Sequence, residues 1–200
     1  MEDIVSKIQK EIINRSNAFE KSMKWTKNEF NIYKEHIQYV YNNVILLSKG
    51  KDVDVEVLKL SALLHDIAMT NENLDRSRHN EYWANIAEKL LGEYNYPEEK
   101  IQLVKKCILN HSSKRIAFRT TQEEQILVDA DCLSHFDSIN NLWSLAHNVM
   151  NLEDNDCLKF IQDKLTKDYN ELSCELKSLV KEKYEKIISA KNFIDITKTQ

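Results

Sequence analysis

The chain has 200 residues, a formal net charge of −4, and 42% hydrophobic and 30% charged residues, which excludes a disordered tail or a membrane span. Binding to nucleic-acid polymers is not expected, because it needs a concentrated basic surface. Two glycines and one proline are too few for the turns of a β-sandwich, a barrel or a multi-stranded sheet. We therefore predict an all-α protein, with residues 1–200 forming a single helical domain.

The N-terminal segment and the cysteines do not indicate an exported protein. Residues 1–16 have no apolar segment behind a basic start. The chain also has no run of about eighteen apolar residues, so we expect a cytoplasmic protein that does not enter a membrane. Cysteines at 107, 132, 157 and 174 are far apart and form no CxxC pair, which favours reduced thiols, mostly in the core.

Apolar residues that recur at helical spacing predict the elements in chain order. The first five helices cover about residues 2–22, 28–50, 54–70, 79–93 and 97–111, and two more begin near Thr121 and Ser138. Asp54 suits an N-cap and Gly50 a C-terminal cap. From Asp156 onward one or two long amphipathic helices follow. We interpret these long helices as packing or oligomer surface; the C-terminal helices as a whole cover about residues 141–195, beyond the motif-bearing core.

Histidine and acidic side chains lie beside the apolar stripes of five of these helices. They are His36 in the second helix, His65 and Asp66 in the last turn of the third, His79 at the start of the fourth, His111 at the end of the fifth and Asp131 on the buried side of the sixth. Divalent metals accept imidazole and carboxylate ligands, which helical proteins can present inward from several helices. Neighbouring residues diverge by about 100° around a helix, so His65 can bind one metal while Asp66 reaches a second.

In this ordered set the chain resembles the HD superfamily, whose signature is a His, a His-Asp doublet and a distant Asp on separate helices. The matching residues are His36, the doublet His65–Asp66 in SALLHDIAM, and Asp131 in VDADCLSHF, within about residues 28–140. The resemblance implies a metal-dependent phosphohydrolase acting on a small phosphate ester or anhydride, such as a nucleotide. A divalent ion (Mn, Fe, Co, Ni, Zn or Mg) would activate the attacking water.

Many HD proteins hold a second metal through two further histidines between the doublet and the last Asp. His79 and His111 stand in that order, so the resemblance implies one or two ions with Asp66 as the bridging ligand. The chain departs from branches with a Gly-Lys pair after the doublet, where it has IAMT. It also departs from branches with a second histidine after His111, where it has Ser112.

Two other functions remain open from the sequence. Some HD proteins with six such ligands use a di-iron centre to oxidise substrates with oxygen, as myo-inositol oxygenase does. The second alternative is a non-catalytic helical module that binds a ligand or partner and keeps a metal for stability. A homo-oligomer is compatible with each of these functions.

Basic residues flank two of the candidate histidines. Lys114, Arg115 and Arg119 follow His111, and Arg76 and Arg78 precede His79. We predict that these side chains hold phosphate oxygens, with Lys114 and Arg115 as catalytic candidates beside Asp66. An ordinary solvated loop is the alternative for residues 114–119.

Three further polar residues are interpreted as structural. His135 follows Asp131 by one turn and is expected to be a hydrogen-bonded core histidine, with a metal ligand or a supporting residue at the metal as the alternatives. His147 is expected to pack on its own helix. Asp129 points to a different side of its helix from Asp131 and is expected to be a cap or a solvent-facing acid.

Overall fold

The computed structural model describes residues 2–22, 30–66 and 79–197, and this part of the chain is all-α, as predicted, with no β-strand. The α-helices are α1 (Ile4–Ser22), α2 (Gln38–Leu47), α3 (Val55–Leu64), α4 (His79–Glu93), α5 (Glu98–Asn110), α6 (Gln122–Asp137), α7 (Ile139–Ser144), α8 (Asp154–Glu171), α9 (Cys174–Ser189) and α10 (Phe193–Thr197). A wider π-helical turn at Tyr33–Ile37 leads into α2, and another at Leu145–Val149 follows α7. A 3-10 turn covers Ser113–Phe118.

The ends of two predicted helices differ from the structure. Helix α3 ends at Leu64 rather than near Thr70, and His65 is its C-cap. His65 keeps helical backbone angles, and its backbone N–H donates to the Ser61 carbonyl at 2.9 Å. Its side chain therefore points where it would point if α3 continued through this residue. Helix α2 ends at Leu47, and Gly50, with φ of +72°, lies in the turn that follows. Residues 28–29 and 67–70 lie outside the described ranges.

The C-terminal part forms two long helices, α8 and α9, as predicted, followed by the short α10. Leu172 and Ser173 have extended ψ angles of 146° and 154°, which separate α8 from α9. The carboxylate of Asp129 accepts the Ser173 backbone N–H at 2.9 Å and therefore caps α9. Asp129 is buried, so the alternative of a solvent-facing acid was wrong.

Two groups of helices meet at α6. The first group joins α1, α3, α4 and α5 around buried aliphatic residues such as Ile8, Leu60 and Leu91. The second joins α6 to α8 and α9 around residues such as Ile161 and Leu165. Each fully buried Leu or Ile contributes about 1.5–3 kcal/mol to folding relative to exposure. Because α6 also packs on α2 and α3, the two groups meet along it.

A buried carboxylate joins the end of α5 to the start of α6. Thr121 is the N-cap of α6 and forms a capping box with Glu124. One carboxylate oxygen of Glu124 accepts from Asn110 Nδ2 at 2.6 Å, and the other accepts the backbone N–H groups of Thr120 and Thr121, each at 2.9 Å. This network fixes the end of α5, next to His111, relative to the helix that carries Asp131.

The cysteines lie mostly in the core, as predicted. The cysteines are free thiols, with Cys107, Cys132 and Cys157 buried and Cys174 exposed. Within the described residues, no helix is both long and apolar enough to cross a bilayer.

Candidate metal centre

The π-helical turn before α2 directs His36 inward. His36 is 9% exposed, and its Nδ1 lies 3.2 Å from the hydroxyl oxygen of Ser134 on α6. That hydroxyl donates to the Asp131 carbonyl at 2.7 Å, so its oxygen accepts from His36 Nδ1. In its neutral form His36 therefore carries its proton on Nδ1 and a lone pair on Nε2.

The second histidine is oriented from the end of α3. His65 is 1% exposed, and its Nδ1 lies 2.8 Å from the Ala62 carbonyl oxygen. A carbonyl oxygen can only accept, so Nδ1 is again the protonated nitrogen. The Nε2 lone pair of His65 then points toward His36.

The predicted ligands of the first metal converge around these two nitrogens. The Nε2 atoms of His36 and His65 are 3.0 Å apart. Asp131 Oδ1 lies 3.2 Å and 3.8 Å from these two atoms, and Asp66 Oδ2 lies 3.5 Å and 3.7 Å from them. Four side chains from three separate parts of the sequence thus surround one point.

This cluster suits a cation. Two Nε2 lone pairs that face each other at 3.0 Å repel unless a proton or a metal ion lies between them. Asp131 Oδ1 is buried and has no hydrogen-bond partner among the described residues, which is costly for a carboxylate oxygen. One ligand atom from each of His36, His65 and Asp131 can be chosen so that all lie within 4.8 Å of one another. A divalent ion with nitrogen and oxygen ligands would satisfy all three side chains.

The charges at the cluster reinforce each other. Burial would raise the pKa of Asp131, but the neighbouring His135 and His36 outweigh it and hold that pKa well below its ordinary value. Burial would lower the pKa of His36, but Asp131 and Asp66 outweigh it and raise that pKa. The site therefore keeps Asp131 ionised and attracts positive charge.

The two histidines predicted for a second metal differ in what the structure describes. His111 is the C-cap of α5; its Nδ1 contacts the Ile108 carbonyl oxygen at 2.5 Å, which leaves Nε2 as an acceptor. Its ring centre lies 5.6 Å from that of His65, and burial together with His65 lowers its pKa. His79 is the first residue of α4, as predicted, but its side chain lies outside the described residues. The second metal site therefore remains a prediction.

A cavity of about 250 Å³ opens onto the cluster. Its polar lining includes His36, Asp66, His111, Asp131, His135 and Lys164. Its apolar lining includes Phe30, Ile32, Trp83, Leu142, Leu145 and Phe160. Phe160 and Lys164 belong to α8, so this C-terminal helix lines the cavity in addition to packing against the domain. The sequence did not single out Lys164, since it lies on an amphipathic helix without a recognisable motif.

His135 has a supporting position beside His36. The two rings stack with centres 5.0 Å apart and planes 13° apart. His135 Nδ1 lies 3.2 Å from Asp168 Oδ2, and Lys164 donates to Asp168 Oδ1 at 2.6 Å. Burial and the nearby Lys164 lower the pKa of His135. His147, by contrast, is exposed and stacks on Trp143 of its own helical segment.

The basic loop after His111 is used mainly for structure where its side chains are described. Arg119 forms an ion pair with Glu171 at 2.7 Å and donates to the carbonyls of Asn110, His111 and Ser112. Arg119 therefore links this loop to α8. The prediction that Arg119 holds phosphate was wrong.

Arg115 also has partners inside the protein. It donates to Asn110 Oδ1 at 2.9 Å, and its guanidinium lies over the Phe118 ring. Its role in phosphate binding remains a prediction. The side chains of Lys114, Arg76 and Arg78 lie outside the described residues.

The fold and the cluster define the class: an all-helical protein whose inward histidines and aspartates form a candidate divalent metal site. A model of the HD domain family matches residues 33–141, which is more than half of the chain. The chain therefore belongs to the HD domain family, whose members bind divalent metals.

Two other comparisons found similar proteins. An uncharacterized protein of Clostridium beijerinckii is 26% identical over 122 residues, which cover 61% of this chain and 74% of that protein. The crystal structure of a predicted HD superfamily hydrolase from an uncultured Thermotogales bacterium matches with a TM-score of 0.53 and 22% identity. This similarity covers 86% of this chain and 91% of the other, so the shared fold extends beyond the family-matched segment.

Proposed function

We propose that the protein is a metal-dependent phosphohydrolase that acts on a small phosphate ester or anhydride, such as a nucleotide. The observation that carries this proposal is the 3.0 Å approach of the His36 and His65 Nε2 atoms beside the unpartnered Asp131 Oδ1. His36, His65, Asp66 and Asp131 would hold the metal. The similarity to a predicted HD superfamily hydrolase supports the reaction class.

A divalent ion at this position would supply Lewis acidity, lowering the pKa of water and neutralising charge on phosphoryl oxygens. Two imidazoles favour Mn, Fe, Co, Ni or Zn over Mg, which prefers oxygen ligands. Asp66, whose side chain is 17% exposed, belongs to the cluster and lines the cavity, where it would accept a proton or share a second ion.

The cavity supports a small substrate. Its volume of about 250 Å³ is just below the range of about 300–1,000 Å³ usual for ligand pockets. Its apolar wall, which includes Phe30, Leu142 and Phe160, can pack against the part of the substrate that leaves as alcohol or nucleoside.

The test combines metal analysis with an activity screen. We expect the purified protein to contain a stoichiometric transition metal by elemental analysis. We also expect it to hydrolyse members of a panel of nucleotides and generic phosphate esters, with activity increased by manganese. The double variant His65→Ala/Asp66→Ala should lose both metal and turnover, because it removes two of the four side chains at the cluster.

The matched control removes a histidine and an aspartate from the exposed surface, as His147→Ala/Asp163→Ala. It should keep wild-type metal content and activity, and circular dichroism should show that both double variants remain helical. Full metal stoichiometry in His65→Ala/Asp66→Ala would contradict the metal assignment. Tight metal binding with no turnover on the whole panel would favour a binding module, and oxygen consumption after anaerobic iron loading would favour an oxygenase.

A further inference from the structure

Helix α8 contributes a cation to the cavity from outside the family-matched segment, which ends at residue 141. Lys164 is the one lysine or arginine among the described residues that line this cavity. Its side chain is 31% exposed, whereas that of its partner Asp168 is 4% exposed. The ammonium group therefore lies at the boundary between a buried carboxylate and the open cavity.

Asp168 hydrogen-bonds Lys164 and lies beside His135. Its Oδ1 accepts from Lys164 Nζ at 2.6 Å, and its Oδ2 lies 3.2 Å from His135 Nδ1. Lys164 and Asp168 are one helical turn apart, so the ion pair also fixes the lysine side chain along α8. The ring of His135 in turn stacks on the metal-site residue His36. The lysine is thus fixed relative to the cluster.

Lys164 has donors left for a ligand. An ammonium group has three N–H donors, and within the described part of the chain one of them is used, by Asp168. Burial opposes the charge on Lys164, but Asp168 and Asp131 outweigh it and raise its pKa, so the group is cationic at neutral pH. Arg119, which the sequence had suggested for phosphate binding, is instead enclosed by Glu171 and backbone carbonyls.

We propose that Lys164 binds the anionic phosphoryl group of the substrate beside the metal cluster, and that Asp168 positions Lys164 for this contact. The proposal rests on the proposed function, since it requires a phosphorylated ligand in the cavity. It also assigns the C-terminal helices a part in substrate binding.

The test measures binding of inorganic phosphate to the manganese-loaded protein by isothermal titration calorimetry. In Lys164→Met we expect phosphate affinity to fall by about tenfold or more, because a charge-assisted hydrogen bond is lost. Manganese stoichiometry should be unchanged, and Lys164→Arg should bind phosphate more tightly than Lys164→Met. Lys167→Met removes the same charge from an exposed position of α8 and should match the wild type.

A second variant distinguishes a loss of phosphate binding from a loss of folding. Lys164→Met leaves the buried Asp168 without its ammonium partner, which can destabilise the protein. The double variant Lys164→Met/Asp168→Asn removes both charges, and its thermal unfolding is followed by circular dichroism. It should bind phosphate as weakly as the single variant does.

The outcomes separate this proposal from the proposed function. If the wild type binds phosphate and Lys164→Met binds it equally well, the role of Lys164 is overturned and the phosphohydrolase proposal stands. Recovered phosphate affinity in the double variant, or loss of manganese from Lys164→Met, would also overturn it. If the manganese-loaded wild type binds no phosphate, both proposals fail.

Discussion

The cluster depends on which nitrogen of each histidine carries the proton. His65 and His111 both place Nδ1 against the carbonyl oxygen three residues earlier, at the C-terminal end of a helix. His36 reaches the same protonation state through the hydroxyl of Ser134. In all three the Nε2 atom is left with a lone pair that can bind a metal, and such orienting hydrogen bonds commonly change metal affinity by about 10–100-fold.

Ser134 gives a test at this scale, because it orients a ligand without touching the cavity centre. Ser134→Ala removes the acceptor of the His36 Nδ1–H group, and we expect manganese affinity to fall by about tenfold or more. Competition against a chelator of known affinity measures this change. The helical content should stay the same.

The control for that variant is Ser178→Ala on α9. Ser178 is exposed, and its hydroxyl likewise donates to a backbone carbonyl one turn earlier, that of Cys174 at 3.1 Å. Its loss should leave manganese affinity unchanged. Equal affinities in the two serine variants would show that the Ser134 hydroxyl does not orient His36 for metal binding.

Among the elements, the junction between α5 and α6 carries a pH-dependent contribution to stability. Burial would raise the pKa of Glu124, but the Asn110 amide and the backbone N–H groups of Thr120 and Thr121 outweigh it and lower that pKa below its ordinary value of 4.5. We expect Glu124→Gln to reduce the free energy of unfolding by about 1.5–3 kcal/mol at pH 7. Denaturant unfolding followed by circular dichroism measures it.

The sign of the pH effect follows from the lowered pKa. A carboxylate whose pKa is lower in the folded state stabilises the protein above the ordinary pKa and loses this effect as pH falls through the folded-state value. The stability difference between wild type and Glu124→Gln should therefore shrink between about pH 5 and pH 3. Glu182→Gln, at an exposed position of α9, should show little difference at either pH. A difference for Glu124→Gln that grows as pH falls would contradict this account.

Helical spacing was sufficient to predict the elements that carry most of the cluster. The apolar stripe of α5 indicated Ile101, Val104 and Ile108, all of which are buried, and it placed His111 at the end of that helix. The π-helical turn that directs His36 could not be predicted, because an extra residue in one turn leaves the apolar pattern almost unchanged. The roles of Asp129 and Arg119 also depend on partners 44 and 52 residues away in sequence, which spacing within one helix does not show.

For the whole molecule, the position of the cavity explains what the sequence missed. The family-matched segment provides the ligands, while α8 closes one side of the cavity with Phe160 and Lys164. The packing of α6 against α2 and α3 on one side and α8 on the other brings these parts together. This arrangement depends on tertiary packing. From the sequence, an amphipathic helix without a motif can therefore be recognised only as a packing surface.

The most direct test of the metal centre is anomalous X-ray diffraction from crystals of the wild-type protein grown with manganese. We predict an anomalous peak within about 2.0–2.4 Å of the Nε2 atoms of His36 and His65 and of a carboxylate oxygen of Asp131. A manganese peak bound elsewhere would contradict the account. So would crystals in which the two Nε2 atoms still face each other with no anomalous density beside them.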